Sequence, residues 1–403
     1  MTLSPAGDLR DLSENPSDYP TGDLSVESQD QQDSSQQLPA QGSSPGTTNW
    51  RVVASKLLHF VAAIFLFVLA IQLMKKGAAP VGARLKTTLL FDNAVSTLGL
   101  GWLGAYFVLA GSPVAAISLS FFNAHALTSL QTFTMLSGSR LGASFIVLLV
   151  GFLYSIRNKD RKRTIGMGVL ALSMTAIVYI PGMLVGYGVL KSGLLTGINW
   201  RASNGVSGVI DFVWGPVVDF ATRSASAPVL FLVGLGTILL AFKLLDRVLP
   251  DLDHERQAQA RGHWLKKPWP MFFLGSLAAL LTLSVAVALT ALVPLAAKGH
   301  VTRREAIPYI MGANITTLAD TLVAAMLLDR ALGVQIVLAE AIAVALITVF
   351  YLAFFYKSIS RAIIALDDWV VQTNKRLWGF VVGLFLVPVV LIAIGTVIGP
   401  LVA

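Results

Sequence analysis

The stretch "MGANITTLAD", Met311 to Asp320, places Asn314, Thr316, Thr317 and Asp320 inside an otherwise apolar run. An amide, hydroxyls and a carboxylate are hard oxygen donors of the kind a sodium ion takes. On a helix, Asn314, Thr317 and Asp320 or Thr321 recur every three to four residues, share one face and predict a common cavity. A plainer use also fits, in which these groups satisfy a broken helix or bond neighbouring helices. A second polar run, Gly138-Ser139-Arg140-Leu141-Gly142-Ala143-Ser144, carries Arg140 where the later run has Asn314. A guanidinium in apolar surroundings is expensive unless it meets a carboxylate or an anion, and its planar fork suits phosphate bidentately. Three readings stay open: an ion pair with Asp320, an anion clamp, or a fixed charge standing in for a lost sodium.

The elements that must position these residues are membrane helices. The chain has 403 residues, 55% hydrophobic and 13% charged, with a mean hydropathy of +0.71, too apolar for a soluble domain. Nearly charge-free runs long enough to cross a bilayer begin near Leu57, Thr164, Met271 and Leu377. Scattered Gly, Ala, Ser and Thr suit helices packed closely in lipid, and no run has the alternation of barrel strands. The expected fold is an all-α integral membrane protein.

Residues 1–49 carry eight acidic side chains against one basic and no apolar periodicity, so they read as a disordered acidic tail and not as a signal peptide. Removing that tail's −7 from the net +8 leaves +15 on the membrane part, part of it in "RNKDRKR", Arg157 to Arg163. Basic loops beside spans mark the cytoplasmic side and predict a multi-pass protein of the cytoplasmic membrane, not a nucleic-acid binder. With no cysteine, disulfides and thiol-ligated metals are excluded.

Internal similarity divides the membrane part. "IQLMKK" (Ile71 to Lys76) matches "FKLLDR" (Phe242 to Arg247), "GSPVAA" from Gly111 sits near "LSVAVA" from Leu283, and Gln131 to Ser144 matches Glu305 to Leu318. The offsets, 171 to 174 residues, are nearly constant. The basic "RNKDRKR" corresponds to a nearly neutral "DRALG" (Asp329 to Gly333), which predicts inversion of one copy relative to the other. The expected organisation is a repeat at 50–199, a linker at 200–226 and a second repeat with a C-terminal helix at 227–403. Each repeat is expected to hold a re-entrant or broken helical hairpin. Non-helical backbone at membrane depth needs protein or water around it, so matching interruptions in two halves point to a midplane site. Gly111-Ser112-Pro113 is expected to end one short helix and start another, Thr128, Ser129 and Gln131 to open the next, and Ser284 to serve the second interruption.

Here the chain resembles the type II sodium/phosphate cotransporters and their bacterial relatives. The second repeat keeps Gly312-Ala313-Asn314-Ile315 followed by Thr316-Thr317, "REAIPYIM" precedes it, and "FLFVLAIQLMKKGA" resembles the family's first helix. Two inverted repeats, each with a Gln-Ser-Ser-Ser turn and a Gly-Ala-Asn segment around phosphate and sodium, are what the resemblance implies. No Gln-Ser-Ser-Ser occurs here: Gly111-Ser112-Pro113-Val114 and Leu283-Ser284-Val285-Ala286 take its places. The expectation is a secondary transporter, not an enzyme, moving phosphate or a similar small anion with sodium by alternating access and without a cofactor. Ser112, Thr128, Ser129, Gln131, Ser139, Arg140 and Ser284 are the anion candidates; Asn314, Thr316, Thr317 and Asp320 are the sodium candidates. Another solute, proton coupling through Asp320, and a non-transporting scaffold are the alternatives.

Other features read as structural. His125 is expected to be a turn histidine, and "DLDHERQ" (Asp251 to Gln257) a solvated loop without metal geometry. "DDWVVQTNKR" (Asp367 to Arg376) reads as an interfacial helix with Trp369 at headgroup level. No nucleotide-binding loop is present, which argues against an ATP-driven pump.

Overall fold

The computed structural model describes residues 50–85, 91, 93–157, 161–200, 204–248, 267–328 and 330–402. The acidic tail, the middle of "RNKDRKR", Asp251 to Gln257 and Asp329 lie outside them. Residues 49–403 group as one compact unit, and every regular element among the described residues is a helix. Among the described residues, seven helical stretches are long and apolar enough to cross a membrane.

The chain opens with α1 (Trp50–Leu85), which packs along α8 (Ala227–Val248). Their contacts run in opposite senses: Gly77 meets Phe231, Gly234 meets Met74, and Phe67 meets Phe242. The two helices are therefore antiparallel. Between them come α2 (Ala94–Val108), α3 (Ser112–Asn123), α4 (Ser129–Ala143), α5 (Phe145–Arg157), α6 (Arg161–Ser192) and α7 (Asn204–Ser224). The segment expected as a linker thus holds a 21-residue helix, α7, whose Trp214 stacks on Phe65 at 5.2 Å and donates to its carbonyl at 2.9 Å. After α8 follow α9 (Pro268–Thr282), α10 (Val285–Thr290), α11 (Leu292–Ala297), α12 (Arg303–Thr316), α13 (Leu318–Leu327) and α14 (Ala331–Phe350). A π turn at Tyr351–Phe355 leads to α15 (Tyr356–Val371), and α16 (Asn374–Val402) closes the chain.

The 15 residues of α2 and of α9 give each a length of ~22 Å, short of a ~30 Å hydrocarbon core. Each ends on a leucine in the left-handed region, Leu109 (φ 58°) and Leu283 (φ 46°), which stand 174 positions apart (283 minus 109). The same spacing separates the capping boxes Thr128/Gln131 and Thr302/Glu305, which start α4 and α12. It also separates Gly138 from Gly312, where any Cβ would strike the carbonyl oxygens of Leu98 and Phe272 respectively. These glycines let α4 lie against α2, and α12 against α9, at backbone distance.

The halves interlock. Helix α3 packs on α13, α10 and α11 on α5, α4 on α14 and α12 on α6. The expectation of a separate interfacial helix at 367–376 is corrected: Asp367 to Val371 end α15, a break follows at Thr373, and Arg376 belongs to α16. Trp369 is exposed as expected, under the guanidinium of Arg376 at 5.0 Å, but Asp367 is buried against Arg303 at 2.8 Å. Burying that carboxylate beside an arginine of α12 needs a packed junction, which a helix lying free on the headgroups does not supply.

Candidate functional site

Arg140 lies near the end of α4 and is 2% exposed. Its Nη1 donates to Ser112 Oγ at 3.3 Å, in the first turn of α3, and to Thr317 Oγ1 at 3.1 Å, in the break between α12 and α13. Its Nη2 donates to Thr321 Oγ1 and faces Asp320 Oδ1 at 3.7 Å. The Thr321 hydroxyl in turn donates to Asp320 Oδ1 at 2.9 Å. Arg140 Nε and Asp320 Oδ2 are buried without hydrogen-bond partners. The cluster therefore holds one donor and one acceptor in reserve.

Asp320 sits in the first turn of α13, where a carboxylate complements the partial positive charge of a helix start. Thr317 caps the end of α12, so Asn314 and Thr317 do not continue along one helix toward Asp320. Thr317, Asp320 and Thr321 nevertheless meet at the Arg140 guanidinium, while Asn314 turns to Thr175.

A cavity of about 490 Å³ lies beside Arg140. It is bordered by the turns at Leu109 to Pro113 and Leu283 to Val287, by Thr317, and by Phe242 and Lys243 of α8. Both short-helix turns and both halves of the chain line it. Lys243 is exposed, and among the described residues it makes no ion pair. An anion in this space would meet one buried guanidinium, one ammonium and the hydroxyls of Ser112, Ser284 and Thr317. Ser112 also opens the 12-residue α3, whose unsatisfied N–H groups favour negative charge.

Of the anion candidates, Ser112, Arg140 and Ser284 meet at this cavity, joined by Thr317 from the sodium set. Ser284 half-buries there and accepts from Val287 N at 3.3 Å as the cap of α10. Thr128, Ser129 and Gln131 stand at the other end of α4, roughly 14–18 Å along the helix from Arg140. Thr128 and Gln131 form a capping box, and Gln131 Nε2 donates to Phe91 O at 2.7 Å. Ser139 turns back to Leu136 O at 2.7 Å. None of these four borders the cavity.

Asn314 and Thr316 are held elsewhere. Asn314 Nδ2 donates to Thr175 Oγ1 of α6 at 3.1 Å, and the Asn314 carbonyl accepts from Tyr179 at 2.8 Å. Thr316 donates to Ser276 O of α9 at 3.0 Å. Asp320 also borders a second, apolar space of about 230 Å³ against α1 and α8, on the far side of Phe242 and Leu283. No cluster of three His, Cys, Asp or Glu that could hold a metal occurs among the described residues. His125 stands exposed at a left-handed turn, as expected.

Lys243 and Glu340 join this region without having been candidates, and Thr321 was named only as a face neighbour of Asp320. The signal for two of them is simple: Lys243 and Glu340 are ionisable residues inside apolar helices, which mark functional positions by default.

No curated protein and no solved structure matches the chain. Residues 237–367, which carry Lys243, Ser284, Thr317, Asp320 and Glu340, match the family model described as Na+/Pi-cotransporter.

Proposed function

We propose that the chain is a secondary active transporter that moves inorganic phosphate or a similar small anion with sodium across the cytoplasmic membrane by alternating access. The observation that carries this reading is the cavity bordered by both short-helix turns, with Arg140 buried in its wall and Lys243 at its side. A bundle locked shut would fill that space with apolar side chains. Here two cations and the hydroxyls of Ser112, Ser284, Thr290 and Thr317 line it, which is the kind of donor set a phosphate needs.

The anion would take the place of the serine and threonine hydroxyls on the Arg140 fork. Sodium would lie toward Thr317 and the unpartnered Asp320 Oδ2, with Asn314 and Thr316 holding the end of α12 that frames it. Coupling requires that each ligand favour binding of the other. A cation beside Asp320 does so, because it relieves the carboxylate's hold on Arg140.

The proposed architecture is two inverted repeats, about 50–199 and 227–403. The antiparallel run of α1 and α8, and the recurrence of turns and caps at one spacing, support it. Opposite orientation would give two half-sites that open to opposite sides of the membrane in turn.

Uptake of labelled phosphate into proteoliposomes, driven by an inward sodium gradient, tests the reading. Sodium-dependent uptake in the wild type that disappears in inserted Arg140→Ala is the expected result. One observation favours a second reading: both terminal nitrogens of Arg140 are already engaged by Asp320 and three hydroxyls, as in a static scaffold. No uptake by folded, inserted protein under any cation gradient would select it.

A further inference from the structure

Helix α14 carries one ionisable side chain, Glu340, which none of the roles above uses. It is 0% exposed, and neither carboxyl oxygen has a hydrogen-bond partner. Ser137 and Arg140 of α4, one turn apart, lie beside it, while Tyr179 of α6 keeps its hydroxyl on the Asn314 carbonyl at 2.8 Å. The other helices packed on α14 bring no charge to it. Helix α3 has no ionisable residue, and those of α12 (Arg303, Arg304, Glu305) lie in its first turn, at the far end from Asn314.

The charges do not balance. One guanidinium stands against two carboxylates in a sealed cluster, with Lys243 exposed on the cavity side. An uncompensated buried carboxylate costs several kcal/mol, so a positive charge must accompany it. The sodium proposed beside Asp320 would serve that carboxylate, and no group of three acidic or histidine ligands surrounds Glu340 among the described residues. A proton needs only one acceptor. Ser137 lies beside Glu340, and while its hydroxyl donates to Phe133 O at 3.0 Å it presents a lone pair to the carboxyl. A protonated carboxyl can donate to that lone pair; a carboxylate cannot.

We propose that Glu340 is a proton-binding site, and that its protonation releases Arg140 to hold the anion, so that proton and anion bind with positive coupling. This rests on the anion-transporter reading above and adds a second cation to it. An ionised Glu340 competes with the anion for the field of Arg140; a neutral one does not. The step is a proton transfer from water to one carboxylate oxygen and needs no other reactant.

The test has two arms on the purified full chain. The first is infrared spectroscopy without any anion. A carboxylic-acid carbonyl band is expected that shifts when the glutamates are labelled with carbon-13 and is missing from Glu340→Gln. The labelling arm uses wild-type protein, so it holds even if the variant folds poorly. Absence of a glutamate band overturns the proposal. The second arm is phosphate binding across pH in wild type and Glu340→Gln, which cancels the titration of phosphate itself. The wild type is expected to lose affinity with rising pH by up to about tenfold per unit relative to the variant, which stays tight. Identical profiles overturn the coupling. A glutamate band together with no phosphate binding at any pH upholds the proton site and overturns the anion reading, with the coupling that rests on it.

Discussion

The guanidinium of Arg140 donates to the hydroxyl of Thr317, 177 residues further along the chain, at 3.1 Å. One side chain thereby ties α4 of the first half to the helix break of the second, beside the Asp320 carboxylate. Removing it leaves a buried carboxylate without its cation, a loss of about 3–5 kcal/mol. Arg140→Ala should therefore lower the thermal unfolding temperature and abolish phosphate uptake. Arg140→Ala combined with Asp320→Asn should recover much of the stability and none of the uptake. Unfolding curves in detergent and uptake in proteoliposomes separate the two effects; uptake restored in the double variant would remove Arg140 from anion binding.

Lys243 contributes charge to the cavity without structural ties. Lys243→Gln should leave unfolding within about 0.5 kcal/mol of wild type, as for surface changes away from packed features. It should weaken phosphate binding about fivefold, the loss of about 1 kcal/mol from one charge-assisted contact. Lys243→Arg should retain most of the affinity. Equal affinity in all three proteins, measured by titration at one ionic strength, would place the anion away from α8.

Much of this arrangement was legible in the sequence because it is local. Gly111-Ser112-Pro113 broke a helix as those residues do, and Thr128 with Gln131 capped the next. The meeting of Ser112, Arg140, Ser284 and Thr317 followed from pairing the two interruptions. The position of Asn314 did not follow, because its partner Thr175 is 139 residues away on α6 and no spacing rule links them. The segment 200–226, expected as a linker, holds helix α7, because Trp214 finds its partner Phe65 149 residues back on α1 and no local pattern announces that contact. Asp367 shows the same limit: it reads as part of an interfacial helix, and only the fold brings Arg303 to it.

Gly138 and Gly312 should be the least replaceable glycines of their helices. A Cβ at either position would run into a carbonyl oxygen of the facing helix, and backbone cannot rotate away as a side chain can. Alanine at each should cost about 1–3 kcal/mol, the scale of overpacking. Gly379→Ala in α16 meets nothing within 4 Å and should be neutral or slightly stabilising, since alanine favours a helix by roughly 0.5–1 kcal/mol over glycine. Thermal unfolding of the three variants gives the comparison, and equal shifts would mean that α2 and α4 do not pack at backbone distance.

Arg303 starts α12 and reaches two acids at the end of α15, Asp367 at 2.8 Å and Asp368 at 2.6 Å. The two acids differ in burial: Asp367 is 1% exposed and Asp368 is 59% exposed. Water screens the exposed pair, so Asp368→Asn should change stability by less than about 1 kcal/mol and matter less at high salt. Asp367 cannot be rehydrated in place, and Arg303→Ala should strand its carboxylate. A double-mutant cycle of Arg303→Ala with Asp367→Asn should show coupling of about 0.5–3 kcal/mol, larger than the same cycle with Asp368→Asn. Because the pair anchors the start of the helix that ends at Thr317, breaking it should also slow uptake without altering phosphate affinity. If the cycle with Asp368 gave the larger coupling, the junction would be a solvated contact and α12 would be held in place by packing alone.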